Sequence, residues 1–122
     1  MKRVPIPTEE ITDWSSFHDV FARVFGFPDF YGRNMNAWID CMTSLDSPED
    51  GMSTVHAEPG GVLIIDLGEC TDFARRLPGI YEVLLDSSAF VNHRKMEIGG
   101  QAVLALSFWN RQPIIAPSRS PK

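Results

Sequence analysis

The sequence predicts an α/β fold, a small three-stranded parallel sheet packed by about four helices. Three observations predict it. VLIIDL, residues 62–67, is a continuous β-branched and leucine run bounded by glycines, as expected of a strand covered on both faces and lying in the middle of a sheet. Two segments with apolar residues at helical spacing precede it and two follow. The connections between the three strand-like runs are therefore long and helical, which requires parallel strands joined by right-handed crossovers.

The elements follow in order. RVPIPT, residues 3–8, reads as a short strand whose Pro5 and Pro7 lack N–H groups on the same side, which places it at a sheet edge. Trp14, Phe17, Val20, Phe21, Val24 and Phe25 form a helical stripe with Asp13 or Ser15 as N-cap, stopped by Gly26 and Pro28. Met35, Trp38, Ile39, Met42 and Leu45 define a second helix capped by Asn34. Residues 46–61, DSPEDGMSTVHAEPGG, are polar and rich in turn formers and read as a solvated loop. After the middle strand, a short helix from about Thr71 to Leu77 ends at Pro78. Another begins there, with Ile80, Val83, Leu84 and Val91 inward and His93, Arg94 and Lys95 near its C-terminal end, where cations complement the helix dipole. Gly99 and Gly100 break it, and AVLALSF, 102–108, is the last strand. Residues 1–112 are expected to form a single domain and 113–122 a loose tail.

Composition fits a soluble globule: 122 residues, 43% hydrophobic, with thirteen aromatic side chains to fill a core. No run approaches the roughly 18 apolar residues of a membrane span, and the basic N-terminus lacks an apolar leader, so the expected location is cytoplasmic. Cys41 and Cys70 have no metal-ligand or C-x-x-C spacing and read as free thiols; no metal or cofactor is expected. The net charge of −5 is concentrated in the first half, with ten acids against four bases through residue 60 and six against seven beyond it. Such a surface disfavours nucleic acid and favours a basic protein partner.

Chemistry in a parallel sheet gathers at the carboxyl ends of the strands, where Asp66 and Ser107 are the candidates, with His18, His56 or His93 as bases. No phosphate loop or nucleophile elbow accompanies them, so the chain is expected not to be an enzyme; a small hydrolase using Asp66 is the weaker alternative. The second helix is more informative. Its apolar stripe turns Asp40 to the opposite side, with Asn36 one turn earlier and Ser44 one turn later. No lysine or arginine lies three or four residues from Asp40, so the carboxylate is expected to lack a partner within the chain. Beside it Phe27, Phe30 and Tyr31 crowd a loop in which Gly32 permits close backbone approach; Phe27 is expected to pack in the core.

FYGRNMNAWIDCMTSL, residues 30–45, resembles the loop and second helix of the barstar family of intracellular ribonuclease inhibitors: an aromatic pair, Phe30 and Tyr31, then Gly32, Asn34, and a helix with an acid, Asp40, just before Cys41. The resemblance implies a three-stranded parallel sheet in order 1-2-3, which matches the element order from residue 3 to 108; residues 46–61 and the tail fall outside it. It further implies that Asp40 enters a ribonuclease active site and occupies a phosphate position among basic side chains. Phe30, Tyr31, Gly32 and Arg33 would flank the bound enzyme, and Asn36, Ile39 and Ser44 would complete the face. The chain departs from the family pattern at Phe30, where a tyrosine is usual, at Asn36 and Arg33, where acids are common, and at Ile39, where a tryptophan is common. These departures bear on which ribonuclease is met. For the acid that the family carries on its last helix, Glu82 and Asp86 both fit. The function expected is a ribonuclease inhibitor or toxin-immunity protein, a monomer when free, binding a ribonuclease or ribonuclease toxin and neither nucleic acid nor membrane. The alternative is a non-inhibitory module that docks a basic protein.

Overall fold

The structure, a computed structural model, describes residues 1–111; the expected tail lies outside the described residues. Three strands, β1 (Lys2–Pro5), β2 (Leu63–Glu69) and β3 (Leu104–Trp109), form one parallel sheet in the order β1-β2-β3. Leu63 stands opposite Lys2 on one side and Leu104 on the other. The helices are α1 (Trp14–Phe25), α2 (Met35–Thr43), α3 (Thr71–Arg76) and α4 (Pro78–Glu97). This is the expected α/β architecture, with β2 central and β1 at the edge. Ile6 donates its N–H to the Asp66 carbonyl, so Pro5 and Pro7 on either side of it turn their missing donors away from the sheet.

One core unites the layers. Phe17, Phe21 and Phe25 on α1, Trp38 and Met42 on α2, Leu63 and Ile65 on β2, and Leu84 and Val91 on α4 are all fully buried. Each helix boundary has a local cause. Asp13 accepts from Ser16 N at 2.8 Å while the Ser16 hydroxyl accepts from Asp13 N at 3.0 Å, a reciprocal cap that opens α1. Asn34 opens α2 by accepting from Ala37 N at 2.8 Å. Pro78 ends α3 and starts α4 in a single step.

Gly26 closes α1 in the left-handed region, at φ 66°. A β-carbon there would fall 1.9 Å from Thr54 Oγ1, so both the backbone and the space demand glycine. Gly26→Ala is expected to cost about 1–3 kcal/mol, from overpacking against Thr54 added to left-handed strain. Urea unfolding measures it, and an unchanged midpoint would show that residues 51–57 do not hold this contact.

Residues 46–61 are not merely a solvated loop, contrary to the sequence expectation. Thr54 N–H donates to the Phe25 carbonyl at 2.9 Å and Ala57 N–H to the Leu45 carbonyl at 3.0 Å, which ties the connection across the ends of α1 and α2. Ser53 and Ala57 are buried by it. The sequence hid this because the anchors are backbone groups, which leave no mark in side-chain pattern.

α4 holds the outer edge of the sheet. The Asn92 side chain donates to the Leu104 carbonyl at 2.9 Å and accepts from Val103 N and Leu104 N at 2.9 and 3.0 Å. A carboxamide thus engages the backbone of the edge strand as a neighbouring strand would.

Candidate protein-binding face

α2 is amphipathic with its buried line through Trp38, Cys41, Met42 and Leu45, while Met35 and Ile39 sit half-buried at the margin. Cys41 therefore belongs to the core side of α2. Desolvation, aided by the Asp40 carboxylate, pushes the Cys41 thiol pKa up to about 11. Cys70 is buried too, and both cysteines are free. Asp40 remains on the side opposite Trp38, with 56% of its side chain exposed, and Asn36 is exposed one turn before it.

The expectation that Asp40 lacks a partner within the chain is corrected. Arg94 of α4 donates from Nη1 to Asp40 Oδ1 at 3.0 Å. Next to it Lys95 reaches Asp46 at 2.7 Å, and that pair is more deeply set, with 12% and 23% of the side chains exposed. One ion pair from α2 and one from the turn that follows it thus fasten the C-terminal end of α2 to α4, and they place cations where the α2 dipole is negative. The basic run His93, Arg94, Lys95 was visible in the sequence. The partners of Arg94 and Lys95 lie about fifty residues away, beyond any i±4 rule.

Asp40 stands between two shallow depressions that share Met52. One, of about 270 Å³, lies against Phe30, Tyr31, Gly32 and Ala37. The other, of about 400 Å³, is lined by Thr43, Ser44, Asp50 and Arg94. Phe30 is 74% exposed, a large apolar surface turned to solvent beside the carboxylate. Ser44 is half-buried and ends α2, its N–H bonded to the Cys41 and Met42 carbonyls. Met52 belongs to the connection read as a loop, and nothing in its sequence marked it.

Arg33 is turned toward α1. Its guanidinium reaches Asp19 at 2.8 Å and the Ser15 carbonyl at 3.0 Å, and it lines a separate hollow with Trp14 and His18. The left-handed residue of the loop is Arg33, at φ 56°, whereas Gly32 approaches Ala37 closely, a β-carbon built on it lying 3.4 Å from that of Ala37. Tyr31 packs on the core, and its hydroxyl shares a hydrogen bond of 2.5 Å with His18 Nδ1. Phe27 packs there as well, with its ring centroid 4.7 Å from that of Tyr31. The aromatic pair therefore divides its work: Tyr31 anchors the loop inward and Phe30 faces out.

Burial, reinforced by the Arg33 cation and opposed by Asp19, holds the His18 pKa below its ordinary value. The sign follows from proton counting. The unfolded chain binds the proton at a pKa of about 6.5, the folded chain only at lower pH, so this contribution to stability is complete above about pH 6.5 and is lost as pH falls through the window below it. His18→Asn is expected to flatten that part of the stability profile in urea titrations at pH 7.5 and 5.5. Identical slopes in parent and variant would show that the imidazole is not kept neutral.

Asp66 is buried, paired with Arg3 at 2.5 Å, and accepts from Gly68 N at 2.9 Å where the sheet register shifts. Glu82 and Asp86 are exposed on α4, but they precede Arg94 by twelve and eight residues, about 18 and 12 Å along the helix. The α4 side chain beside Asp40 is thus a base. Among the described residues no three His, Cys, Asp or Glu side chains converge as metal ligands, and no helix is long and apolar enough to cross a membrane.

A three-stranded parallel α/β domain that sets an exposed acid and an outward aromatic on adjoining helix and loop has the make-up of a protein-binding domain. The model of one family, Barstar (barnase inhibitor), matches residues 1–101, and the chain belongs to the barstar family. The match includes residues 46–61, which the resemblance had left out. Membership supports, at the level of the family, an inhibitor of barnase-type ribonucleases rather than an enzyme, with a ribonuclease as partner. No curated protein matches the sequence.

Proposed function

We propose that this protein inhibits a ribonuclease by inserting Asp40 into its basic active site, where the carboxylate takes a phosphate position, and that it acts in the cytoplasm as the immunity partner of a ribonuclease toxin made by the same cell or a competitor. The observation that carries this reading is the position of Asp40. Its carboxylate is half exposed, opposite the Trp38 side of α2, and adjoins Phe30 across a depression. An exposed charge beside an exposed aromatic, both of which a docked partner would desolvate, is the make-up of an interface hot spot. Phe30 and Asp40 would carry the affinity, with Asn36, Ile39, Ser44 and Gly32 around them. Arg33 would contribute by holding the loop to α1, and Tyr31 by anchoring it to His18.

Capture on the immobilised protein from the lysate of its own source, followed by nuclease assay of the eluted partner with and without added protein, tests the proposal. Inhibited nuclease activity supports it. A captured partner that keeps its nuclease activity in the complex, or has none, would move the reading to non-inhibitory docking.

A further inference from the structure

We propose that the connection between α2 and β2, residues 46–61, is part of the ribonuclease-binding face, with Met52 as an apolar contact and Asp50 as a second carboxylate for the partner's cationic groups. The inference rests on the inhibitor reading above and deepens it, by adding to the face an element that lies outside α2 and the loop before it.

Placement is the first ground. Met52 is half-buried and lines both depressions that flank Asp40, so a partner side chain seated in either one meets it. Methionine is among the residues that interfaces favour. Its position is set before any partner arrives. Immediately after it Ser53 is buried, and Thr54 N–H and Val55 N–H both donate to the Phe25 carbonyl, at 2.9 and 3.3 Å. Immediately before it Gly51 N–H closes the 3-10 turn Pro48–Asp50 on the Pro48 carbonyl at 3.1 Å. A contact held in place in the free protein gives up little further freedom on binding, and pre-formed surfaces gain affinity in that way. Charge is the second ground. The depression that Asp40 shares with the connection is lined by two acids, Asp40 and Asp50, and one base, Arg94. Arg94 is joined to Asp40 at 3.0 Å, whereas Asp50 is exposed and forms no ion pair among the described residues. The carboxylate of this depression that is left without a base therefore comes from the connection and leaves the depression net negative. A cationic site brought onto Asp40 reaches the neighbourhood of Asp50 too, where attraction survives screening over the Debye length of ~8 Å at physiological salt.

The experiment uses the ribonuclease captured by the parent protein, purified from the eluate, as the probe, and compares Asp50→Asn, Met52→Ala and Glu9→Gln with the parent. Glu9 is an exposed acid on the 3-10 turn Thr8–Glu10 and lines neither depression, so its substitution removes the same charge elsewhere. Thermal unfolding checks the fold of each variant. Asp50→Asn is expected to slow association by about threefold or more at low salt, with the difference closing as salt rises, because a charge at the rim acts on encounter. Met52→Ala is expected to weaken binding by about tenfold, mainly through faster dissociation. Glu9→Gln should alter neither rate. Parent-like rates in folded Asp50→Asn or in folded Met52→Ala, or a slowing by Asp50→Asn that Glu9→Gln equals, would overturn the inference and leave the inhibitor reading standing. Capture of no ribonuclease by the parent would overturn the inhibitor reading, and this inference with it.

Discussion

Asp40→Ala is expected to leave the protein folded and to weaken ribonuclease binding by about 2–5 kcal/mol, roughly thirtyfold to several-thousandfold, chiefly through faster dissociation. The range is borrowed from measured interfaces, one from this family among them, and not obtained from the geometry. In the proposed complex, truncation would strand a cation of the partner in a dry site. Stability should respond little. The Asp40–Arg94 pair is more than one third exposed on both sides, so solvent screening limits it to about 0–1 kcal/mol, and alanine returns part of that through its helix preference. A shift in melting temperature within about 3 °C is expected. Calorimetry and surface-binding kinetics against the captured ribonuclease separate the two effects. Loss of folding in Asp40→Ala, or unchanged affinity, would remove Asp40 from the proposed role.

Trp38→Ala should do the reverse. Trp38 is fully buried between α1 and α2, 5.6 Å from Phe21 and 6.5 Å from Phe17 between ring centroids. Its removal leaves a large cavity where α2 packs on Phe17 and Phe21 of α1, and a cost of about 3–5 kcal/mol is expected. That is a large share of the roughly 5–15 kcal/mol by which a domain is stable. Trp38→Phe should cost much less, because the indole Nε1 has no hydrogen-bond partner among the described residues and its loss relieves a buried unsatisfied donor. Urea midpoints with an unchanged m-value check both variants. A Trp38→Phe loss as large as that of Trp38→Ala would mean that the indole N–H is satisfied in solution. Trp38→Phe should still bind the ribonuclease, since the residue lies on the opposite side of α2 from Asp40.

Much of the fold was legible because it rests on short-range signals. The stripe of α1, the Asn34 cap and the Pro78 junction act within a few residues, and the apolar run of β2 could belong only to a strand covered on both faces. The limits of strands were less sharp. β2 extends to Glu69, because Asp66 and Gly68 form a bulge that carries the strand past its apolar run. At the candidate site the sequence pointed to Asp40 by its outward position and to Phe30 and Tyr31 together as a crowded aromatic loop; the structure exposes Asp40 and Phe30 and packs Tyr31 against the core. What the sequence could not reveal arises between separate elements of the chain: Arg94 on Asp40, Asp19 on Arg33, His18 on Tyr31, and Met52 between the two depressions. Each depends on how helices and a connection far apart in sequence are docked, which residue spacing does not encode. The reading of residues 46–61 failed for the same reason, since backbone bonds to Phe25 and Leu45 replace any apolar signature.

Asn92 has a consequence for colloidal behaviour. A parallel sheet of three strands has two flanks, and an exposed, unpaired strand edge is a template for fibrous association. Along β1, prolines and the charged Lys2 and Arg3 discourage such pairing. β3 carries neither; it is LALSFW, aromatic at its end and free of charge. The carboxamide of Asn92 already occupies the amide and carbonyl of Leu104, so an incoming strand must first displace three hydrogen bonds to begin zipping from that end. One side chain on α4 thereby guards the flank that composition leaves vulnerable, and the molecule can keep Phe30 exposed without offering its own sheet for growth.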